Sequence, residues 1–361
     1  MLVALELVLA LTTSSFAKGS VAFDQAVELC QSGGSFSRVP GLLTRAFDMD
    51  EAEILQRSKS VRRVPCRRPV KAESGYGRFD EDLLTLCTES GDRICKNGRC
   101  CEVCSRVVMP DLATTSECNI VRRRVESILP GLEHGPDATL NLIDAAFVAG
   151  PKACVRSTLL MIRLVERLRR AIAHEYKIPL SCIAPDAAFV SRIAACDGRR
   201  SIHADESSNP AYHYSAVLYL TSQGEHFTGG DFVFVDETET QHDAEESFPW
   251  ARTLWPFGTR PSASSLESRS LTRIGPRQGE ASFFSSGWEN VHFVDAVSSG
   301  QRFSMPAFFT TSESEKVRPQ HQMGPDVAAA AIKELCLHVD CNDGELDSLK
   351  DQWHMLFAPG R

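Results

Sequence analysis

Residues 203–237, HADESSNPAYHYSAVLYLTSQGEHFTGGDFVFVDE, hold two short apolar runs, YSAVLYL and DFVFV, joined through a Gly-Gly turn. Runs this short, rich in Val, Phe and Tyr and bounded by Gly, Ser and Asn, read as β-strands. Working outward, the same signature recurs at 186–196 (DAAFVSRIAAC), 280–286 (EASFFSS), 291–297 (VHFVDAV) and 302–311 (RFSMPAFFTT). Upstream, residues 157–177 place Leu160, Ile162, Leu164, Val165, Leu168, Ala171 and Ile172 on one helical face, with arginines opposite and Ser157 able to cap the start. A long helix followed by several short strands predicts an α+β chain: a double-stranded β-helix (jelly-roll, cupin-like) core with flanking helices.

Composition sets the frame around that core. A chain of 361 residues, 43% hydrophobic, 24% charged and of net charge −8, is globular and gives no footing for nucleic acid. Residues 1–17 (MLVALELVLALTTSSFA) read as a secretory signal, with Ser15 and Ala17 at the −3 and −1 positions of a cut before Lys18. Against that stand Glu6 and a missing basic start, which leave a packed N-terminal helix as the alternative. Thirteen cysteines, five of them between Cys87 and Cys104, suit a disulfide-stapled region in an oxidising compartment. Zinc on Cys95, Cys100, Cys101 and Cys104 is the competing reading. The expected organisation is therefore a signal over 1–17 and a cysteine-rich, partly helical region over 18–156, with a helix near 41–58. A catalytic domain over 157–312, interrupted by a non-strand insertion at about 236–279, and a helical extension over 313–361 complete it. The basic run at 57–71 reads as a solvated loop, no transmembrane segment is expected, and the secretory pathway (ER lumen or secreted) is the expected location.

The chemistry starts at His203-x-Asp205. Residues two apart on an extended chain point the same way, so both side chains can reach one metal. Alone, such a pair is more often an ordinary polar loop. Completed by a later histidine, with His292 best placed, it becomes two imidazoles and one carboxylate on one face of an octahedral ion, the set that suits non-haem Fe(II). Arg302, ten residues on, can form a two-pronged pair with a carboxylate, and Tyr219 can add a hydroxyl to it. Pro306 removes a ladder donor from its strand and implies an edge strand or a bulge.

Residues 203–237 and 281–311 (ASFFSSGWENVHFVDAVSSGQRFSMPAFFTT) together resemble the prolyl hydroxylase group of 2-oxoglutarate- and Fe(II)-dependent dioxygenases. Within it they are most similar to the procollagen prolyl 3-hydroxylase and the 2-oxoglutarate and iron-dependent oxygenase domain-containing protein 3 types. The resemblance covers about residues 157–312. It implies His203, Asp205 and His292 on the iron, Arg302 on the distal carboxylate of 2-oxoglutarate, and Tyr219 on that same carboxylate. It further implies O2 as co-substrate, ascorbate as reductant, and a peptide or protein substrate, proline-rich, hydroxylated with release of succinate and CO2. Arg192 and Asn290 lie in family-like segments without a role. The long insertion departs from the family, and the helical repeats of animal procollagen 3-hydroxylases are absent, which sets collagen in doubt as substrate. A catalytically silent jelly-roll binding module and a zinc-dependent cysteine-rich interaction protein are the alternatives.

Overall fold

The computed structural model describes residues 15–32, 38–66, 106–128, 137–141, 151–195, 202–205, 208–209, 212–236, 270–287 and 290–311. Its helices are α1 (Ser15–Ser32), α2 (Val39–Arg57), α3 (Thr115–Ile128) and α4 (Pro151–Tyr176). Its strands are β1 (Arg62–Val64), β2 (Arg106–Met109), β3 (Asp137–Asn141), β4 (Ala184–Ala194), β5 (Tyr214–Tyr219) and β6 (Phe227–Gly229). There follow β7 (Phe232–Val235), β8 (Leu271–Ile274), β9 (Ala281–Ser285), β10 (His292–Val294) and β11 (Val297–Thr310). The larger sheet runs β1-β2-β9-β5-β11-β4-β3 with β6 also on β11, and the smaller runs β10-β7-β8. Every pairing between these strands is antiparallel.

Alternation along the strands divides the large sheet into two faces. Tyr214, Ala216 and Leu218 of β5, Ala281 and Phe283 of β9, and Phe303, Met305, Ala307 and Phe309 of β11 join one core with the apolar side of α4. The residues between them, among them Ser215, Tyr219, Ser282, Phe284, Arg302 and Ser304, turn the other way, toward the small sheet. There Phe284 of β9 meets Phe232 and Phe234 of β7 at ring separations of 5.6 and 5.2 Å.

The arginines opposite the apolar side of α4 are not solvated. Asp50 of α2 accepts from Arg163 Nε and Nη2 (both 2.7 Å) and from Arg167 Nε (2.9 Å). Glu117 of α3 takes the other prongs of Arg167 at 2.8 and 2.9 Å. Both pairs are buried. Complementary two-pronged geometry is what makes such burial tolerable. Glu117 also closes a capping box on α3: Thr114 N donates to Glu117 Oε2 (2.8 Å) and Glu117 N to Thr114 Oγ1 (3.2 Å).

Other expectations shift. Pro306 is not on an edge: β11 lies between β5 and β4, Pro306 sits opposite Val217, and the bulge falls later, between Phe308 and Phe309. The register to β4 is recorded at Ser304 and resumes at Ala307, which is how a central strand accommodates a residue without an N–H. Leu271–Ile274, inside the stretch expected not to alternate, pairs with β7. Arg62–Val64, within the basic run expected as a loop, pairs with β2. The expected cleavage point before Lys18 falls inside α1. The rest of the signal segment, the 87–104 cysteine cluster, most of the insertion and the 313–361 extension lie outside the described residues. Cys66 and Cys182 each take part in a disulfide. Among the described residues no helix is long and apolar enough to cross a membrane.

Candidate metal centre

His203 and His292 are locked to each other through the backbone: His203 N donates to His292 O (3.0 Å) and His292 N to His203 O (2.9 Å). That isolated bridge brings the loop before β5 onto β10 and leaves the two imidazoles 4.6 Å apart, centre to centre. Asp205 follows two residues on and points the same way. Its Oδ1 lies 3.3 Å from His203 Nε2 and 3.6 Å from His292 Nε2. One ligand atom from each of the three residues thus falls within 4.8 Å of the others, with Asp205 and His292 buried and His203 half-buried.

The outer atoms of these groups are committed elsewhere, which aims the inner ones. His292 Nδ1–H donates to Asn290 O at 2.8 Å, so Nε2 carries the free lone pair. Burial, outweighing the pull of Asp205, holds the His292 imidazole down to about 4, and it stays neutral, as a metal ligand must be. Asp205 Oδ2 accepts from Ser215 Oγ at 2.6 Å. Ser215 has a single proton and spends it on Asp205, so the 2.7 Å contact with Ser286 Oγ has Ser286 as donor. Burial by itself would raise the Asp205 carboxyl. The two histidines and the Ser215 hydroxyl override it and keep the group ionised.

Along the same face of β5, four residues beyond Ser215, stands Tyr219. At about 3.3 Å per residue this is some 13 Å of strand. The Arg302 guanidinium lies 5.7 Å from the Tyr219 ring centre. Arg302 is buried; Nε donates to Gly230 O (3.1 Å), Nη1 to Ser304 Oγ (2.9 Å), and Nη2 has no hydrogen-bond partner. An orphaned buried cationic N–H is expensive unless an anion completes it. Gly230 is required for this approach: its φ is +69°, and a Cβ there would come within 2.9 Å of Phe227 and 3.2 Å of Arg302 Cδ.

Of the residues expected at the site, the structure brings His203, Asp205 and His292 to one point, and Arg302 and Tyr219 together on the same face. The Tyr219 hydroxyl lies 2.8 Å from Ser282 Oγ. Arg192, opposite Phe303 on β4, alternates onto the helix side and is not part of the cluster. Asn290 gains a role by holding His292. Sequence reasoning missed Ser215, Ser286, Ser304 and Gly230. The available signal was a serine at an inward position of an otherwise apolar strand.

Residues 188–310 match the family model described as the 2OG-Fe(II) oxygenase superfamily. This segment, about a third of the chain, is similar to 2OG-Fe(II) oxygenase domains. Its donor set, two imidazoles and a carboxylate with a buried arginine on the same sheet face whose Nη2 is free, fits the iron and the dicarboxylate for which the superfamily is named. The chain is similar to the 2-oxoglutarate and iron-dependent oxygenase domain-containing protein 3 of Xenopus tropicalis, 24% identical over 244 residues, 61% of this chain and 65% of that one. The Homo sapiens protein of the same name is 27% identical over 128 residues, 34% of this chain and 30% of the relative. The chain thus spans less than two thirds of the length of these relatives. Among solved structures, a Trichoplax adhaerens prolyl hydroxylase in complex with a hypoxia inducible factor peptide fragment is similar at 12% identity and TM-score 0.40, over 58% of this chain and 84% of that one.

Proposed function

We propose that this protein is an Fe(II)- and 2-oxoglutarate-dependent dioxygenase that hydroxylates a peptidyl proline, and that its two facing sheets are the halves of a double-stranded β-helix. The observation that carries the reading is a three-ligand cluster together with, on the same face of the large sheet, a buried arginine whose Nη2 has no hydrogen-bond partner. His203, Asp205 and His292 would hold iron through Nε2, Oδ1 and Nε2. Arg302, braced by Gly230 O and Ser304 Oγ, would hold the distal carboxylate of 2-oxoglutarate, with Tyr219 beside it. Iron so held supplies one overall change: substrate C–H, 2-oxoglutarate and O2 become substrate C–OH, succinate and CO2. The chain's own part is orientation and dryness. Ser215 and Asn290 keep the ligand lone pairs aimed inward, and the Phe232, Phe234 and Phe284 rings around His292 exclude water from its side.

A peptide substrate is favoured by the similarity to the prolyl hydroxylase type in the segments around the ligands. Ascorbate as reductant belongs to the same proposal and rests on the family resemblance; disulfides in the 87–104 cluster and the secretory pathway as location rest on the cysteine content and the apolar N-terminus. The test is a panel of proline-containing peptides, collagen-like Gly-x-y repeats included, incubated with protein, Fe(II), 2-oxoglutarate and ascorbate. The mass gain of one oxygen atom on a prolyl residue, with equimolar succinate, is expected. Succinate without a modified peptide in any member of the panel would move the substrate to another class.

A further inference from the structure

We infer that Arg106, on β2 and outside the segment that matches the oxygenase superfamily, is a positioning residue for the ligand His292, so that the N-terminal strands are a working part of the metal centre. This rests on the iron reading given above. Arg106 is 2% exposed and sits opposite Phe284, whose ring lies 5.0 Å from the His292 imidazole. Its Nε donates to Asn290 Oδ1 at 2.7 Å. Asn290 Nδ2 in turn donates to Ser285 O and Ser285 Oγ, both at 2.9 Å, and Asn290 N donates to Gly287 O at 2.9 Å. Side chain and backbone of Asn290 are therefore held from three sides, and its carbonyl is the acceptor that fixes His292 Nδ1–H. Without that fixed acceptor, the imidazole is free to turn, and Nε2 no longer faces Asp205.

Two further contacts make Arg106 a brace rather than a lone donor. Nη1 donates to Asp236 Oδ1 (2.6 Å) at the end of β7 and to Pro65 O (2.9 Å) just after β1. Its guanidinium also lies 4.0 Å from the centre of the Phe234 ring, itself 6.0 Å from His292. One side chain thus grips the large sheet, the small sheet and the turn that presents the ligand. The competing account is that Arg106 only joins the sheets through its buried pair with Asp236. The two accounts separate because Asp236 does not touch the acceptor of His292, whereas Asn290 supplies it.

The experiment uses the full chain and Co(II) as a probe, following affinity and the visible absorption spectrum anaerobically, with thermal unfolding of each metal-free variant alongside. Arg106→Lys keeps the charge beside Asp236 but loses the rigid fork. It is expected to weaken Co(II) binding about tenfold to a hundredfold and to alter the spectrum, the range typical of partners one step removed from a metal. Asn290→Ser is expected to do the same, and the double variant to be no worse than the poorer single one, as members of one chain are. Asp236→Asn, which removes the sheet-joining charge alone, is expected to lower the unfolding temperature more than the affinity. Wild-type Co(II) affinity in Arg106→Lys, or losses of affinity that merely follow unfolding temperature across all variants, would overturn the inference. His292→Ala is the control: binding undiminished there would overturn the iron reading itself and this inference with it.

Discussion

Replacing Arg302 with methionine separates a residue that holds the fold from one that holds a ligand. Burial draws the guanidinium down to about 10, with Tyr219 and Asp231 only partly opposing. That shift corresponds to a penalty of about 3 kcal/mol on the charged form. Because the folded value lies below the unfolded one, the penalty is fully present at every pH below about 10 and eases only above it. Removing the charge recovers the penalty and forfeits the bonds to Gly230 O and Ser304 Oγ, each worth about 1.5 kcal/mol or more when the donor is charged. The two nearly cancel, and methionine fills a similar volume, so metal-free Arg302→Met is expected to unfold within about 2 kcal/mol of wild type. Binding of 2-oxoglutarate behaves otherwise. Losing the charge-assisted bonding of Nη2 to the carboxylate costs about 3 kcal/mol, about a hundredfold in affinity. The assay is thermal unfolding of the Fe(II)-loaded protein under anaerobic conditions, with and without 2-oxoglutarate at a hundred times the wild-type Kd. Wild type should gain about 2.7 kcal/mol and the variant about 0.4 kcal/mol or less. A metal-free variant destabilised by more than about 4 kcal/mol, or one stabilised by 2-oxoglutarate as wild type is, would refute the reasoning.

Further outcomes follow from other contacts. Ser215→Ala removes the 2.6 Å bond that turns Asp205 Oδ2 away from the cluster, and a tenfold to hundredfold loss of Fe(II) affinity is expected by anaerobic titration. Gly229→Ala puts a Cβ 2.3 Å from Ala296 O at φ +71°, and chemical denaturation should register a loss of about 2 kcal/mol or more. Glu117 is held at about 2: burial pushes it up, but the charge and hydrogen bonds of Arg167 prevail. Its folded value lies below its ordinary one, so about 3 kcal/mol of stability is present above pH ~4.5 and drains away as pH falls toward ~2. Glu117→Gln should flatten that part of the stability curve.

What the sequence disclosed follows from which forces act locally. Strands β4, β5, β7, β9 and β11 were legible because period-2 patterns and Gly turns are local, and so was α4 from its apolar side. The triad was legible because His203 and Asp205 are two apart and His292 heads a recognisable strand. The placement of Pro306 was misread because a rule about ladder donors says nothing of which neighbour supplies the missing bond. The partners of the α4 arginines were not legible, since Asp50 and Glu117 lie on helices more than forty residues away in sequence. The Thr114-x-x-Glu117 box was a local signal for α3 that went unread. Arg106 had no local signal of its role: it acts through Asn290, 184 residues away in sequence and brought near only by the fold.

The central claim meets its most direct test in one measurement: succinate released from 2-oxoglutarate by purified protein with Fe(II), O2 and ascorbate, in wild type and His292→Ala side by side. The account expects succinate from wild type and a loss of a hundredfold or more when the Nε2 donor is gone. Equal succinate from the two proteins would contradict it.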